Sequence, residues 1–248
     1  MPLADLATNH PAGVTFDYWN TLIAVGGVPH RQSRVDAWVA CLEAHDVMVT
    51  AEDVAAAMQQ QAAVLDDRWK AGVHYPPEQV IADTAATVGV TDRAVVNALQ
   101  DAQNDAVRRN PFQLASGVVG VLRRLRSAGV RIGIVCDVGV TPSSVLRHHL
   151  QRHDVLGYFD GFAFSDEVGV YKPAGPIFQV ALEAIGVTAD AAAHVGDLHR
   201  TDVKGADALG MTSVRYAGLF DDADHGGPEA QHVIDHHDQL PEVLGIPT

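Results

Sequence analysis

From Pro111 onward the chain keeps one rhythm, and it limits the fold more than any other feature. Helix-period segments ("GVVGVLRRLRSAG", "TPSSVLRHHLQRHDV", "GPIFQVALEAIG", "DVKGADALG") alternate with strand-like segments ("VRIGIVCD", "FDGFAFSDE", "AAAHVGD", "TSVRYAG"). Gly129 supplies a helix stop and Thr141-Pro142 a helix start. Such alternation predicts an α/β fold, a Rossmann-like parallel sheet with helices on both faces. "HVID" adds an expected edge strand and "LPEVLG" a closing helical turn.

Upstream the texture differs. Val14 to Phe16 read as a short buried strand running into a loop. The stretch from about Val28 to Asn110 is almost wholly helical. "SRVDAWVACLEAHDV" sets Val35, Trp38, Val39 and Leu42 on one helical face. Thr50 followed by Asp53 resembles a capping box. "PPEQVIADTAATVGV" opens after prolines, and "TDRAVVNALQDAQNDAVRRN" stops at Asn110-Pro111. Four amphipathic helices predict a small helical bundle inserted after the first strand. The expected organisation is a core from 1–26 and 111–248 and a helical cap domain from 27–110. The sequence shows no repeat or low-complexity segment.

Of the 248 residues 47% are hydrophobic, enough for a substantial core. A net charge of −14 argues against a general nucleic-acid binder and against docking on an anionic membrane. A phosphate ester remains compatible if a metal ion and a lysine screen the site. Two distant cysteines, Cys41 and Cys136, make a disulfide framework unexpected. "MPLADLATNHPAG" does not read as a secretory signal, and no apolar run approaches the ~18 residues of a membrane span. A soluble cytoplasmic protein is expected.

In open α/β sheets, sites form beyond the carboxyl ends of the strands. The polar residues at those ends are Asp17, then Cys136 and Asp137, then Gly196 and Asp197; Lys172 lies in the loop "EVGVYKPAGP". In this order they resemble the haloacid dehalogenase-like superfamily of hydrolases, over nearly the whole chain. The first motif of that family, D-x-D-x-T-L/V after an apolar strand, reads "TFDYWNTL". The second, a strand ending in Ser or Thr, reads "IGIVCD". The lysine motif reads "EVGVYKP", and G-D-x-x-x-x-D reads "HVGDLHRTD". The helical insert looks like the cap that many of these enzymes close over substrate.

The resemblance implies a division of labour. Asp17 would be the nucleophile, attacking phosphorus to form an acyl-phosphate. Mg²⁺ would be held by Asp17, Asp197 and the backbone carbonyl of Trp19, with Asp202 in support. Lys172 would neutralise the nucleophile and the phosphoryl oxygens. The Thr21 hydroxyl would order the nucleophile loop. Cys136 stands where a hydroxyl usually binds a phosphoryl oxygen, and Asp137 and Trp19 would face the substrate with Lys172. The expected reaction is hydrolysis of a small phosphorylated metabolite.

Trp19 departs from the pattern, because the family's phosphatases carry there the aspartate that protonates the leaving oxygen. Losing such a group costs roughly 10²–10⁴-fold. Three readings follow: a phosphatase with a good leaving group or a substitute acid (Tyr18, Asp137 or His199); a 2-haloacid dehalogenase, whose halide leaves without a proton; or a metal- and ligand-binding protein without turnover. Retention of "GDLHRTD" puts the phosphatase first, because the dehalogenases resemble S-x-N-x-x-D there and need no metal. They also use a cationic cap residue; Arg31 and Arg34 are available, though a solvated helix face is the simpler reading. Trp38, Trp69 and Tyr75 are candidates to line a substrate cleft, with core packing the simpler reading of each. His232 and His236 are expected at the surface rather than in a second metal site, and "DDADHGGPEA" as a solvated acidic loop.

Overall fold

The computed structural model describes residues 10–24, 27–110, 112–223 and 228–247; residues 1–9, most of the stretch weighed as a signal, and the centre of the acidic loop (224–227) lie outside them, as do 25–26, Pro111 and Thr248. In chain order the strands are β1 (Gly13–Phe16), β2 (Ile23–Ala24), β3 (Gln113–Leu114), β4 (Arg131–Cys136), β5 (Gly161–Phe164), β6 (Ala192–Gly196), β7 (Thr212–Tyr216) and β8 (His232–Ile234). The helices are α1 (Gly27–Ala44), α2 (Ala51–Lys70), α3 (Pro77–Thr87), α4 (Arg93–Arg109), α5 (Val118–Ser127), α6 (Ser143–Arg152), α7 (Ser165–Val168), α8 (Gly175–Ile185), α9 (Lys204–Leu209) and α10 (Leu240–Val243).

Six strands form one all-parallel sheet in the order β5-β4-β1-β6-β7-β8. β1 and β6 are buried along their whole length, because helices cover both faces. On one face Phe16, Ile132 and Ile134 pack with Leu122 and Leu125 of α5 and Leu146 and Leu150 of α6. On the other, Val135 and Ala163 pack with Ile177, Phe178 and Ala181 of α8. That helix comes so close that a Cβ at Gly161 would lie 2.6 Å from the Ala184 Cβ, so only glycine fits there. The Rossmann-like α/β architecture expected from the alternation is the one observed, with β8 as the edge strand.

Residues 27–110 contain α1–α4 and bury a core of their own. Val35, Trp38 and Leu42 meet Val54, Ile81 and Leu99, with Val39 packed alongside, so the expected face of α1 is the buried one. Thr50 and Asp53 form the full capping box, the Thr50 hydroxyl accepting from the Asp53 N–H at 3.1 Å. α4 stops at Arg109 with Asn110 as its cap. Where α1 begins and α4 ends, β2 and β3 pair as an antiparallel ribbon that apolar patterning did not signal, each strand being two residues long. Among the described residues no helix is long and apolar enough to cross a membrane.

Two expectations about the C-terminal part need correction. The acidic loop is not simply solvated: Arg215 pairs with Asp221 (2.6 Å) and Glu229 (2.9 Å), and Asp222 is buried against His199. Not all the tail histidines are surface groups either. His237 is fully buried, its ring stacked on Tyr216 at 4.3 Å and its Nε2–H donating to the Thr21 carbonyl at 2.8 Å.

Candidate active site

The carboxyl ends of β1, β4 and β6 converge, and the sheet fixes where each side chain starts. Asp17 is the first residue past β1, its N–H bonded to the Val195 carbonyl at 2.8 Å. Beyond it the chain turns sharply through Asn20, whose φ of 52° lies in the left-handed region that asparagine tolerates. Asp197 follows β6. The chain then makes a wide π-helical turn, His199–Val203, of the kind often found at functional sites. This turn folds Asp202 back under β6, where its carboxylate meets Gly196; a Cβ there would sit 2.3 Å from the Asp202 Cγ, which explains the glycine of the Gly-Asp pair.

Lys172 reaches in from the loop before α8. Its Nζ donates to Asp17 Oδ1 at 2.5 Å and to Asp202 Oδ1 at 2.6 Å, all three side chains being almost fully buried. Asp202 is further held by the Leu198 N–H and the Thr201 hydroxyl, both at 3.1 Å. A third donor escaped notice in the sequence: His194, in the middle of β6, lies 3.0 Å from Asp202 Oδ1 through Nε2 and 2.8 Å from the Thr15 hydroxyl through Nδ1. Burial holds this imidazole below its ordinary pKa, so the neutral ring donates from Nε2 and accepts from Thr15. Its signal was a lone polar residue inside an apolar strand.

One oxygen each from Asp17, Asp197 and Asp202 lie within 4.8 Å of one another. Three carboxylates share one lysine, and their electrostatics show the mismatch. Burial raises Asp17, its neighbour Asp202 adding to the rise and Lys172 opposing it. Burial raises Asp197 too, with Asp17 and Asp202 reinforcing it; no side chain among the described residues donates to it. Burial also acts upward on Asp202, but Lys172 and His194 overcome it and hold that group well below the usual range. Lys172 would be depressed by burial, yet the carboxylates around it keep it firmly protonated. Such an excess of hard oxygen donors fits a small divalent cation. The Trp19 carbonyl accepts no hydrogen bond among the described residues.

These groups floor a cavity of about 780 Å³ whose other walls include α1 and α2. Asp17, Trp19, Asp137, Lys172, Asp197 and Asp202 line it; Cys136 and Thr21 do not. Cys136 is buried, its thiol pushed well above its ordinary value by burial and then by Asp17, so it behaves as a packed, inert group. The Thr21 hydroxyl is buried without a hydrogen-bond partner among the described residues; its carbonyl, not its hydroxyl, is the anchored atom. Of the possible substitute acids, Tyr18 is fully buried with its phenol pushed further up by burial, and His199 is engaged by Asp222 (3.3 Å) and Glu229 (2.9 Å) away from the cavity. Only Asp137 faces the cavity, and burial raises its pKa.

Two side chains assigned to packing or solvent belong to this site. Trp69 of α2 donates its indole N–H to Asp137 Oδ2 at 2.8 Å, with the Arg200 guanidinium 3.9 Å above its ring. Arg34 of α1 lines the cavity and donates to the Thr141 hydroxyl at 2.8 Å. Trp38 and Tyr75 are buried as expected, and Tyr75 bonds the Tyr171 hydroxyl through its N–H (3.2 Å) and carbonyl (3.1 Å).

With this geometry in place, the chain can be set beside known proteins. Its curated relatives include the glyceraldehyde 3-phosphate phosphatase of Pyrococcus abyssi, 37% identical over 98 residues, which are 40% of each chain. The chain spans about half the length of the curated relatives it matches. Among solved structures, a HAD phosphatase from Thermococcus onnurineus superposes with a TM-score of 0.66 at 20% identity, covering 94% of this chain and 98% of that one. A 2-haloacid dehalogenase from Pseudomonas syringae superposes with a TM-score of 0.68 at 23% identity, covering 94% and 97%. At such identities these two establish the shared fold. The family model for haloacid dehalogenase-like hydrolases matches residues 11–210. This chain therefore belongs to the haloacid dehalogenase-like hydrolase family.

Proposed function

We propose that the protein is a Mg²⁺-dependent phosphatase that hydrolyses a small phosphomonoester through a covalent intermediate on Asp17. The observation that carries this reading is the trio of buried carboxylates around one lysine at the floor of the cavity. The dehalogenases that resemble S-x-N-x-x-D in the last motif need no metal; three crowded carboxylates, two of them raised, call for a cation.

Asp17 Oδ1 is held by Lys172, which leaves Oδ2 to attack phosphorus. As the new P–O bond forms, the bond to the leaving oxygen breaks and Asp137 gives that oxygen a proton, the task Trp19 cannot perform. Water then attacks the acyl-phosphate, loses a proton to Asp137, and releases phosphate and free Asp17. Lys172 stabilises the negative charge in both steps. Asp17, Asp197 and the Trp19 carbonyl would hold Mg²⁺, with Asp202 behind them; when bound, the ion supplies the charge that lets two anions meet. Asp202, fully occupied by Lys172, His194, Leu198 and Thr201, mainly positions the lysine.

Residues 27–110 act in this reading as a cap over a core of 1–26 and 111–248. Each part buries its own hydrophobic cluster, and two of the polar contacts between them, Trp69 to Asp137 and Arg34 to Thr141, lie at the cavity. Closure would exclude water and select the substrate. A cytoplasmic setting accords with two unpaired cysteines.

The test is direct. Purified protein with Mg²⁺ is expected to release phosphate from phenyl phosphate, EDTA to stop it, and Asp17→Asn to lower the rate by about 10⁴-fold or more. Halide release from a 2-haloacid in EDTA, without phosphatase activity, would transfer the assignment to dehalogenation.

A further inference from the structure

The loop that delivers Lys172 is held from the helical bundle as well as from the sheet. Tyr171, the residue before it, is almost fully buried, and its hydroxyl clasps one residue between α2 and α3. It accepts from the Tyr75 N–H at 3.2 Å and donates to the Tyr75 carbonyl at 3.1 Å, using the donor and the acceptor that a hydroxyl carries together. Tyr75 is itself fixed within the bundle. Its own hydroxyl donates to Asp83 of α3 and lies 3.3 Å from Gln61 Oε1 of α2, and the Arg68 guanidinium stands 4.5 Å over its ring. A second tie falls on Lys172. Its N–H donates to Asp137 Oδ1 at 3.0 Å, while Asp137 Oδ2 accepts from the Trp69 indole at 2.8 Å. Two ties from the bundle therefore straddle the lysine, one on the preceding side chain and one through its own backbone. One oxygen engages both backbone groups of Tyr75, so an outward step of the α2–α3 loop breaks both bonds at once.

We infer that Tyr171 is a positioning residue, whose hydroxyl ties the placement of the Lys172 ammonium between Asp17 and Asp202 to the docking of residues 27–110 on the sheet layer. The carboxylates start from strand ends or from the turn behind β6, but the lysine arrives on a loop that the bundle helps to hold. Its Nζ meets Asp17 Oδ1 at 2.5 Å and Asp202 Oδ1 at 2.6 Å. Misplacing a group at a reacting centre by about 1 Å can cost about 10²-fold in rate, so a small shift of this loop matters. With the bundle docked, the cation sits between its carboxylates. A bundle lifted to admit a ligand gives up both ties, and the charge is no longer centred. The movement that encloses the cavity thus also completes its electrostatics. The effect on rate rests on the phosphatase reading above; the effect on the lysine's placement does not.

Lysine acetylation reads that placement without any turnover. The chain holds three lysines, and Lys70 and Lys204 are exposed, so they calibrate Lys172 within the same molecule. The full-length protein is treated with acetic anhydride, and modification at each lysine is followed by peptide mass spectrometry. In the wild type Lys172 is expected to react far more slowly than the other two. In Tyr171→Phe, which deletes both bonds and keeps the ring, Lys172 should react about tenfold faster, with Lys70 and Lys204 unchanged. Thr50→Ala weakens the bundle by removing the cap of α2 and leaves the clasp untouched, so Lys172 should keep its wild-type rate there. An unchanged Lys172 rate in Tyr171→Phe, an equal rise in Thr50→Ala, or a rise of all three lysines together would each overturn the inference. Should Tyr171→Phe fail to fold, Trp69→Phe cuts the other tie; Lys172 is then expected to react about threefold faster, and no change there would also overturn it. Kinetics on phenyl phosphate with Mg²⁺ add a second readout. In Tyr171→Phe kcat should fall about tenfold with KM little changed, whereas a residue that merely held the bundle down would raise KM and spare kcat. A wild type that hydrolyses no phenyl phosphate would remove the phosphatase reading, and the acetylation rates would still decide the clasp.

Discussion

At the sheet end of the cavity Lys172 bonds two carboxylates and Asp202 accepts from four groups, whereas at the helical end Arg34 bonds a single hydroxyl. The contrast follows from what holds each end. Asp17 and Asp197 leave strands whose positions are set by ladders on both sides, and the turn after β6 folds Asp202 back beneath that strand, so their geometry is fixed before any substrate arrives. Arg34 and Trp69 sit on helices that pack mainly among themselves, and they touch the sheet layer through a few polar contacts. Preorganised charge suits bond making and breaking. Donors left unmade suit recognition, because the ligand completes them.

The largest expected effect tests the sheet end. Lys172→Met removes the cation between Asp17 and Asp202, both buried. Breaking one side of a buried ion pair typically costs about 3–5 kcal/mol, and the lost charge about 10²–10³ in kcat. Thermal melts of the variant at neutral pH should fall well below wild type without Mg²⁺ and recover part of the loss with it, because a bound cation replaces some of the missing charge. A melt that neither falls nor responds to Mg²⁺ would mean that the carboxylates do not form one charge-balanced unit, and the comparison of the two ends would collapse.

The same division explains what the sequence made legible. Asp17, Lys172, Asp197 and Asp202 could be read because each lies at a strand end or in the loop beside one, and a strand fixes direction and depth for whatever follows it. Thr50 and Asp53 were legible because a capping box is a purely local device. Arg34 was named only as an available cation, since a helix periodicity tells which face is apolar but not what meets its flank; its hydroxyl partner, Thr141, is far away in sequence. Trp69 was assigned to packing because its partner Asp137 lies across the cavity. His194 and His237 were missed for a related reason: a lone buried histidine is identifiable only by its acceptor, and Asp202 and the Thr21 carbonyl come from other parts of the fold.

A smaller effect probes the support beneath the nucleophile loop. Burial lowers the pKa of His237 from 6.5 to about 4, while its Nε2–H holds the Thr21 carbonyl. An unfolded chain takes up this proton below pH 6.5, but the folded one resists it until about pH 4. Stability present at neutral pH is therefore lost as pH falls through that window, by up to about 3 kcal/mol. His149, lowered likewise by burial, adds its own share. In His237→Phe the ring stack on Tyr216 remains but the titration is gone, so melts between pH 7 and 4 should show a shallower acid slope than wild type. An identical slope would show that His237 does not resist protonation, and that the sheet end needs no such support.

The smallest effect sharpens the helical end. The Trp69 indole N–H stabilises the charged form of Asp137, so it lowers a pKa that burial raises. Trp69→Phe keeps an aromatic ring under Arg200 but deletes that bond, worth about 1 kcal/mol. With the bond gone, the Asp137 pKa should rise further. If Asp137 is the proton donor, the basic limb of kcat/KM for an alkyl phosphate then moves to higher pH, KM increases a few-fold, and Asp137→Asn removes the limb altogether. A limb that stays in place in both variants would strip Asp137 of that role. The helical end would then bind the substrate without tuning the chemistry, and the proton for the leaving group would have to come from water.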